Sequence, residues 1–273
     1  MFGLTFLSAT SKTTTHRVVP FRMGRLLSAV AGYVAGGHNV VNFSAIIKVA
    51  FPADTLTTLS ATLTTARRFL AGFANSGVAG YVAGGEDSGG YISGIDKVSF
   101  PADSKTTLSA TLTTARAYVA GFANSGVAGY VAGGFDSGYI SGIDKVSFPA
   151  DSKTTLSATL TTARLYAAGF ANSGVAGYVA GGEDSGGYIS GIDKVSFSAD
   201  TKTTLSATLT IALYSAAGFA NSGVAGYVAG GYSGSYSSGI DKVSFPADSK
   251  TTLSATLTSA RALAASFADS GSI

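Results

Sequence analysis

A block of about 48 residues recurs down this chain. The Tyr of a Gly-Tyr-Val-Ala-Gly-Gly run falls at Tyr33, Tyr81, Tyr130, Tyr178 and Tyr227, in steps of 48, 49, 48 and 49. A fixed period of this length means one supersecondary unit used repeatedly, each copy hiding its apolar surface against the next. The clearest copy runs from Arg116 to Ala163. It holds a Gly-Phe-Ala-Asn-Ser stretch, the Gly-Gly run, Ile-Asp-Lys-Val-Ser-Phe and a Thr-rich tail. The repeat makes residues 1–273 a single domain, with units at about 22–66, 67–115, 116–163, 164–212 and 213–260. Residues 261–273 open a sixth copy, and Phe6–Thr15 echo the tail of another.

Within a unit, turn signals separate four strand candidates. In the second unit these are Phe69–Ala74, Val78–Ala83, Ile92–Phe100 and Thr106–Leu112. Leu108, Ala110 and Leu112 alternate with Thr107, Ser109 and Thr111, the period of a half-exposed strand. Leu108, Leu112 and Ala115 also sit at helical spacing, but the β-branched Thr content favours a strand. The first three strands are apolar or small on both faces. Val78, Gly80 and Val82 stand against Ala79, Tyr81 and Ala83. Such strands need cover on both sides, and four-stranded sheets set face to face around an axis provide it. The fold class read from the pattern is therefore all-β, a β-propeller of four-stranded antiparallel blades.

The Gly-Gly that ends strand two, the Ala-Arg before strand one and the period near 49 resemble kelch repeats over about residues 22–269. That resemblance implies the same propeller fold. The chain departs from the kelch pattern in having no Trp; Phe51, Phe100, Phe148, Phe197 and Phe245 stand near the expected aromatic position. The near-identical copies are also similar to kelch-like arrays of some bacteria and their phages; the compartment is left open by the sequence, with an extracellular or virion-associated place favoured. Six blades are expected, the last a composite of residues 261–273 and 1–21; five is the alternative, because the composite has no evident second strand.

Composition narrows the function. Only 12% of residues are charged, about half the usual fraction, so solubility rests on Thr, Ser, Asn and Gly. The net charge of +3 is spread through the repeats, with its densest group at Arg17, Arg22 and Arg25. Scattered cations do not make a nucleic-acid surface. No run of 18 apolar residues lacks Gly, Ser, Thr or a charge, so no membrane span is expected. Met1–Ala9 is apolar but short and has no basic leader, unlike a signal peptide. With no Cys and only His16 and His38, the chain offers no zinc set, thiol nucleophile or catalytic triad, and no metal or cofactor is expected. The copper oxidase that resembles kelch proteins uses a Cys-linked Tyr, which this chain cannot form. The Gly-Gly runs lack the Lys of a phosphate loop. An enzyme is not expected.

Recognition is expected instead at one end of the blades. The loop between strands two and three varies most among copies, opening with His38, Glu86, Phe135, Glu183 and Tyr232. Its carboxylates and aromatics, Glu86, Asp87 and Tyr91, then Phe135, Asp136 and Tyr139, then Glu183, Asp184 and Tyr188, then Tyr232 and Tyr236, suit a glycan or a protein surface. The plainer reading is a set of solvated loops whose Tyr packs on the blade. Arg67, Arg116, Arg164 and Arg261 recur before strand one, with Leu213 breaking the series. As a ring at a channel mouth they would draw an anion; as spacers, each pairs with a nearby carboxylate or carbonyl. Asp96, Asp144, Asp193 and Asp241 read as packing residues. A different class of function is a structural assembly unit, completed by strand exchange between chains. The oligomeric state is left open by the sequence.

Overall fold

A computed structural model describes residues 30–264 and 266. Among these residues every regular element is a strand. The first sheet has three strands, Val30–Ala35, Ala45–Phe51 and Thr55–Thr62. Four four-stranded sheets follow, each antiparallel and in chain order. The third sheet is typical: Ala120–Asn124, Ala128–Ala132, Ile143–Ser147 and Ser152–Thr155.

Local chemistry sets the hairpins. Between strands one and two, Val127 N–H donates to the Asn124 carbonyl at 3.0 Å, and Gly126 takes φ 80°. This is the three-residue loop whose left-handed position favours Gly. Between strands three and four, Asp151 takes φ 48°, a conformation Asp tolerates better than bulkier residues. The Gly-Gly pair answers a tighter demand. Gly84 and Gly85 have φ 66° and 105°, and a Cβ on either would lie 2.7 Å from a backbone oxygen, of Arg116 and Arg68 respectively. Gly85 N–H also donates to the Arg116 carbonyl at 2.9 Å, which stitches each repeat to the next.

The expected strand boundaries need three corrections. Strand one starts at Ala71, because Phe69 has φ 55° and interrupts the extended chain. Strand three is shorter, Ile95–Ser99. Strand four ends at Thr107. Leu108 and Leu112 then cross the end of strand three, their N–H groups donating to the carbonyls of Ile95 and Ser93. Both side chains are still buried, so the apolar positions were read correctly but assigned to too long a ladder.

The second to fifth sheets are closest along their first strands and part towards their fourth. A Cβ on Gly121, Gly169 or Gly218 would fall 2.8, 2.5 or 2.6 Å from the carbonyl oxygen of the matching Gly one repeat earlier. Sheets that meet at one edge and splay at the other form a fan, the arrangement expected of propeller blades. Four hydrophobic clusters fill the gaps between the five sheets. The part of the closing blade expected from residues 1–21 and 267–273 lies outside the described residues. The described start of the sixth copy continues the stacking: Leu263 N–H donates to Ser215, as Ser215 does to Tyr166 and Tyr166 to Tyr118.

Candidate functional site

Two polar systems occupy each repeat, and they differ in their access to solvent. The first is buried. Arg67, Arg116 and Arg164, read from sequence as spacers paired with a carboxylate or carbonyl and alternatively as channel-mouth cations, lie in the interior with side chains only 2% exposed. Arg67 donates to Asp96 at 2.7 Å and to the carbonyls of Gly84 and Gly94 at 3.0 and 3.1 Å. Arg164 repeats the set with Asp193, Gly181 and Gly191. Arg116 reaches Asp144 at 3.1 Å and Val131 carbonyl at 3.2 Å. Each Asp is caged further by a Thr of the preceding repeat and by one of its own strand four. Asp96 accepts from Thr64 N–H at 2.9 Å, Thr64 Oγ1 at 2.7 Å and Thr107 Oγ1 at 2.9 Å. Burial pushes the Asp96 and Asp144 carboxyls up, but the Thr hydrogen bonds and the facing Arg outweigh it and hold both below their ordinary value. Arg261 donates to the Ser259 carbonyl at 3.1 Å.

The second system is the loop end. The loop between strands two and three is a small hairpin that also pairs with the lead-in to strand one. Glu86–Asp87 pairs with Gly90–Tyr91, and Arg68 bridges Glu86 from the other side. Glu183–Asp184 pairs with Gly187–Tyr188 in the same way, and isolated bridges join Phe135 to Tyr139, Tyr232 to Tyr236 and His38 to Asn42. Asp87, Asp136 and Asp184 each accept the N–H two residues on, at 2.7, 3.3 and 2.8 Å, and so hold their own turns. His38 Nδ1 lies 3.0 Å from Asn42 Oδ1, exposed. Glu86 accepts from Tyr118 OH at 3.2 Å and faces Arg68 at 3.5 Å.

The aromatic members come together in two runs. Tyr91, Phe135 and Tyr139 meet edge to face, with centroids 6.1 and 5.5 Å apart. Burial, and after it the Glu183 and Asp184 carboxylates, raise the Tyr139 pKa; the third loop thus faces the fourth. A longer run goes Phe69, Tyr118, Tyr166, Tyr214, at 4.5, 4.6 and 5.5 Å, and continues to Tyr188, Tyr232 and Tyr236. Tyr188 is 40% and Tyr236 63% exposed. Burial, then the Glu86 charge, pushes the Tyr118 hydroxyl up to about 12.

Sequence reasoning missed Arg68, Phe69, Tyr118, Tyr166 and Tyr214. A signal existed, because aromatics stand two residues after Arg67, Arg116 and Arg164. Their place beside strand one makes them look like strand residues, whereas they form a floor beneath the loops. Away from this end, an open groove runs between the outer parts of the third and fourth sheets, lined by Thr154, Leu156, Leu160, Asp200 and Lys202 among others. Its Asp200 is already engaged by Lys145 at 2.7 Å and Tyr130 at 3.3 Å. Among the described residues no cluster of His, Asp and Glu could hold a metal ion, and no helix is long and apolar enough to cross a membrane. No family model and no curated protein matches this chain.

Proposed function

We propose that the five sheets are blades of a kelch-type propeller and that their loop-bearing end binds a glycan or a protein surface without catalysis. The observation that carries this reading is the aromatic run from Phe69 to Tyr236. It crosses four repeats, on the lead-ins to strand one and the hairpins paired with them, and its far end is open to solvent. Rigid aromatic faces supply large contact area at little conformational cost, and carboxylates beside them accept hydrogen bonds from sugar hydroxyls or peptide N–H groups. Glu86 and Glu183 stand at matching positions in alternate hairpins.

A glycan array and a panel of surface proteins, probed with the wild-type chain and with Tyr188→Ala and Tyr236→Ala, test the reading. Loss of binding by roughly tenfold or more in either variant is expected, since a stacking contact contributes about 0.5–1.5 kcal/mol beyond its buried area. Binding untouched by both variants, or absent from the wild type, removes it.

A further inference from the structure

From the second sheet on, contacts between neighbouring sheets use the same parts, and the contact between the first and second sheets keeps the Tyr, Lys, Phe and Asp of that set. The leading sheet gives a Phe from strand one, a Tyr from strand two and a Lys from strand three. The following sheet gives a Gly from strand two, a Phe from the end of strand three and the Asp of the next turn. Thus Tyr81 OH donates to Asp151 at 2.9 Å, and Lys97 Nζ donates to the same carboxylate at 2.6 Å. Tyr81 stacks on Phe148 at 5.0 Å. Phe73 covers Gly129 so closely that a Cβ there would lie 2.0 Å from its ring. The Tyr–Lys–Asp triplet recurs as Tyr33–Lys48–Asp103, Tyr130–Lys145–Asp200 and Tyr178–Lys194–Asp248.

The start of the sixth copy backs only the lead-in and strand one of the fifth sheet, through Leu263 and Ser266, so among the described residues this series leaves one unmatched half at each end of the fan. The fifth sheet carries Phe219, Tyr227 and Lys242, all partly exposed and with no sheet following among the described residues. The first sheet carries Gly32, Phe51 and Asp54. Phe51 is 43% exposed, whereas its counterparts Phe148, Phe197 and Phe245 are buried. Asp54 has φ 50°, the same backbone as Asp103, Asp151, Asp200 and Asp248. We propose that these halves meet between copies: the fifth sheet of one copy docks on the first sheet of the next, head to tail.

Charge complementarity and continuity with the internal interface select this occupant. Asp54 is the first acidic residue in the chain, so residues 1–21 hold no carboxylate for Tyr227 and Lys242. Within one chain, the hydrophobic clusters link only successive sheets, and none joins the fifth to the first among the described residues. A second copy supplies the whole missing set: Asp54 for Tyr227 and Lys242, Phe51 to stack on Tyr227, and Gly32 to receive Phe219. The junction differs from the internal ones in one respect. Ile47 stands where Asp96 and Asp144 stand, so the carboxylate that would cap Thr258 is missing. Assembly is therefore weaker than sheet-to-sheet packing inside the chain and depends on concentration. Because the two faces differ, each added copy presents a fresh Asp54 face, and growth continues unless the rotation closes.

Sedimentation velocity and light scattering on the full chain, over a wide concentration range, test this proposal. The expected result is a mass that rises with concentration. Gly32→Val is the cleanest probe, because a Cβ there meets only the Phe51 ring at 3.6 Å, an ordinary contact. The variant keeps the wild-type circular dichroism but excludes Phe219, weakening assembly about tenfold or more. Asp54→Lys and Lys242→Glu each stay monomeric alone and recover assembly when mixed, since each then meets a complementary face. A wild-type chain that is monomeric at every concentration overturns the proposal; this is the outcome if residues 1–21 close the ring within one chain. An oligomer indifferent to Gly32→Val, or charge variants that do not recover on mixing, overturns it equally.

Discussion

The third and fifth repeats are built on the same plan but differ at one buried position. In the third, Arg116 enters the interior and reaches Asp144 at 3.1 Å. In the fifth, Leu213 takes that place, and a cavity of about 80 Å³ opens beside it, lined by Leu213, Gly230, Gly239 and Asp241. Asp241 nevertheless keeps its cage: Thr210 N–H and Oγ1 at 2.7 Å, and Thr252 Oγ1 at 2.8 Å. Its burial falls only slightly, to 7% exposed against 0% for Asp144. The Thr hydrogen bonds, with Lys250 at 3.7 Å, therefore suffice to hold a buried carboxylate, and the Arg serves a second purpose. It fills space and ties the strand-two carbonyl to the lead-in of its repeat. The carboxylate needs no Arg, but the Arg, once buried, needs the carboxylate.

That asymmetry predicts the largest effect. Asp144→Ala strands the Arg116 guanidinium in the interior and removes the acceptor for Thr113; urea unfolding should show a loss of about 3–5 kcal/mol. Asp241→Ala strands no buried cation, since Lys250 at 3.7 Å is partly exposed, and leaves Thr210 with an unmet N–H, for a loss of about 1–3 kcal/mol. Equal losses at the two sites would break the comparison. The converse change should be milder. Arg116→Leu makes the third repeat like the fifth, and Asp144 keeps its bonds to Thr113 and Thr155 at 2.7 and 2.9 Å. A loss of about 1–2 kcal/mol is expected, from the cavity and from the lost hydrogen bond of Arg116 to the Val131 carbonyl.

Much of this architecture can be read from the chain, for a physical reason. A period of 48 or 49 residues with the same turn chemistry in each copy leaves few ways to hide strands apolar on both faces. The Gly-Gly pair is equally legible, because positive φ and the approach of Arg116 carbonyl admit nothing larger. Strand ends were harder. Leu108 and Leu112 alternate with Thr as a strand would, yet they leave the ladder at Thr107 to cross strand three. Alternation reports which side a residue faces, not whether its backbone is paired. The aromatic floor of the loop end escaped for a similar reason. Phe69 looked like a strand residue, and only its φ of 55° turns it towards Tyr118 and Tyr166. Partners brought together from different repeats carry no local signature.

The smallest expected effect sharpens the same contrast through pH. Asp144 is held below its ordinary value in the folded chain, where the hydrogen bonds of Thr113 and Thr155 and the charge of Arg116 outweigh burial. A carboxyl whose folded value lies below its unfolded one takes up protons more readily when unfolded. Its contribution is complete above the usual carboxylate range, roughly pH 4, and fades as the pH falls through the folded value. Stability of the wild-type chain should therefore decline on the acid side, with Asp96 and Asp144 both contributing to the slope. Asp144→Asn keeps the shape but removes the titration, so its acid limb should be measurably flatter than that of the wild type. Because the Asn also leaves Arg116 without its counter-charge, the variant must start from a lower plateau at neutral pH, and the two curves should converge as the pH falls. A parallel displacement, with the gap constant from pH 7 to pH 3, would mean that Asp144 does not titrate over that range. The cage, rather than the charge, would then be all that Arg116 and Asp144 share.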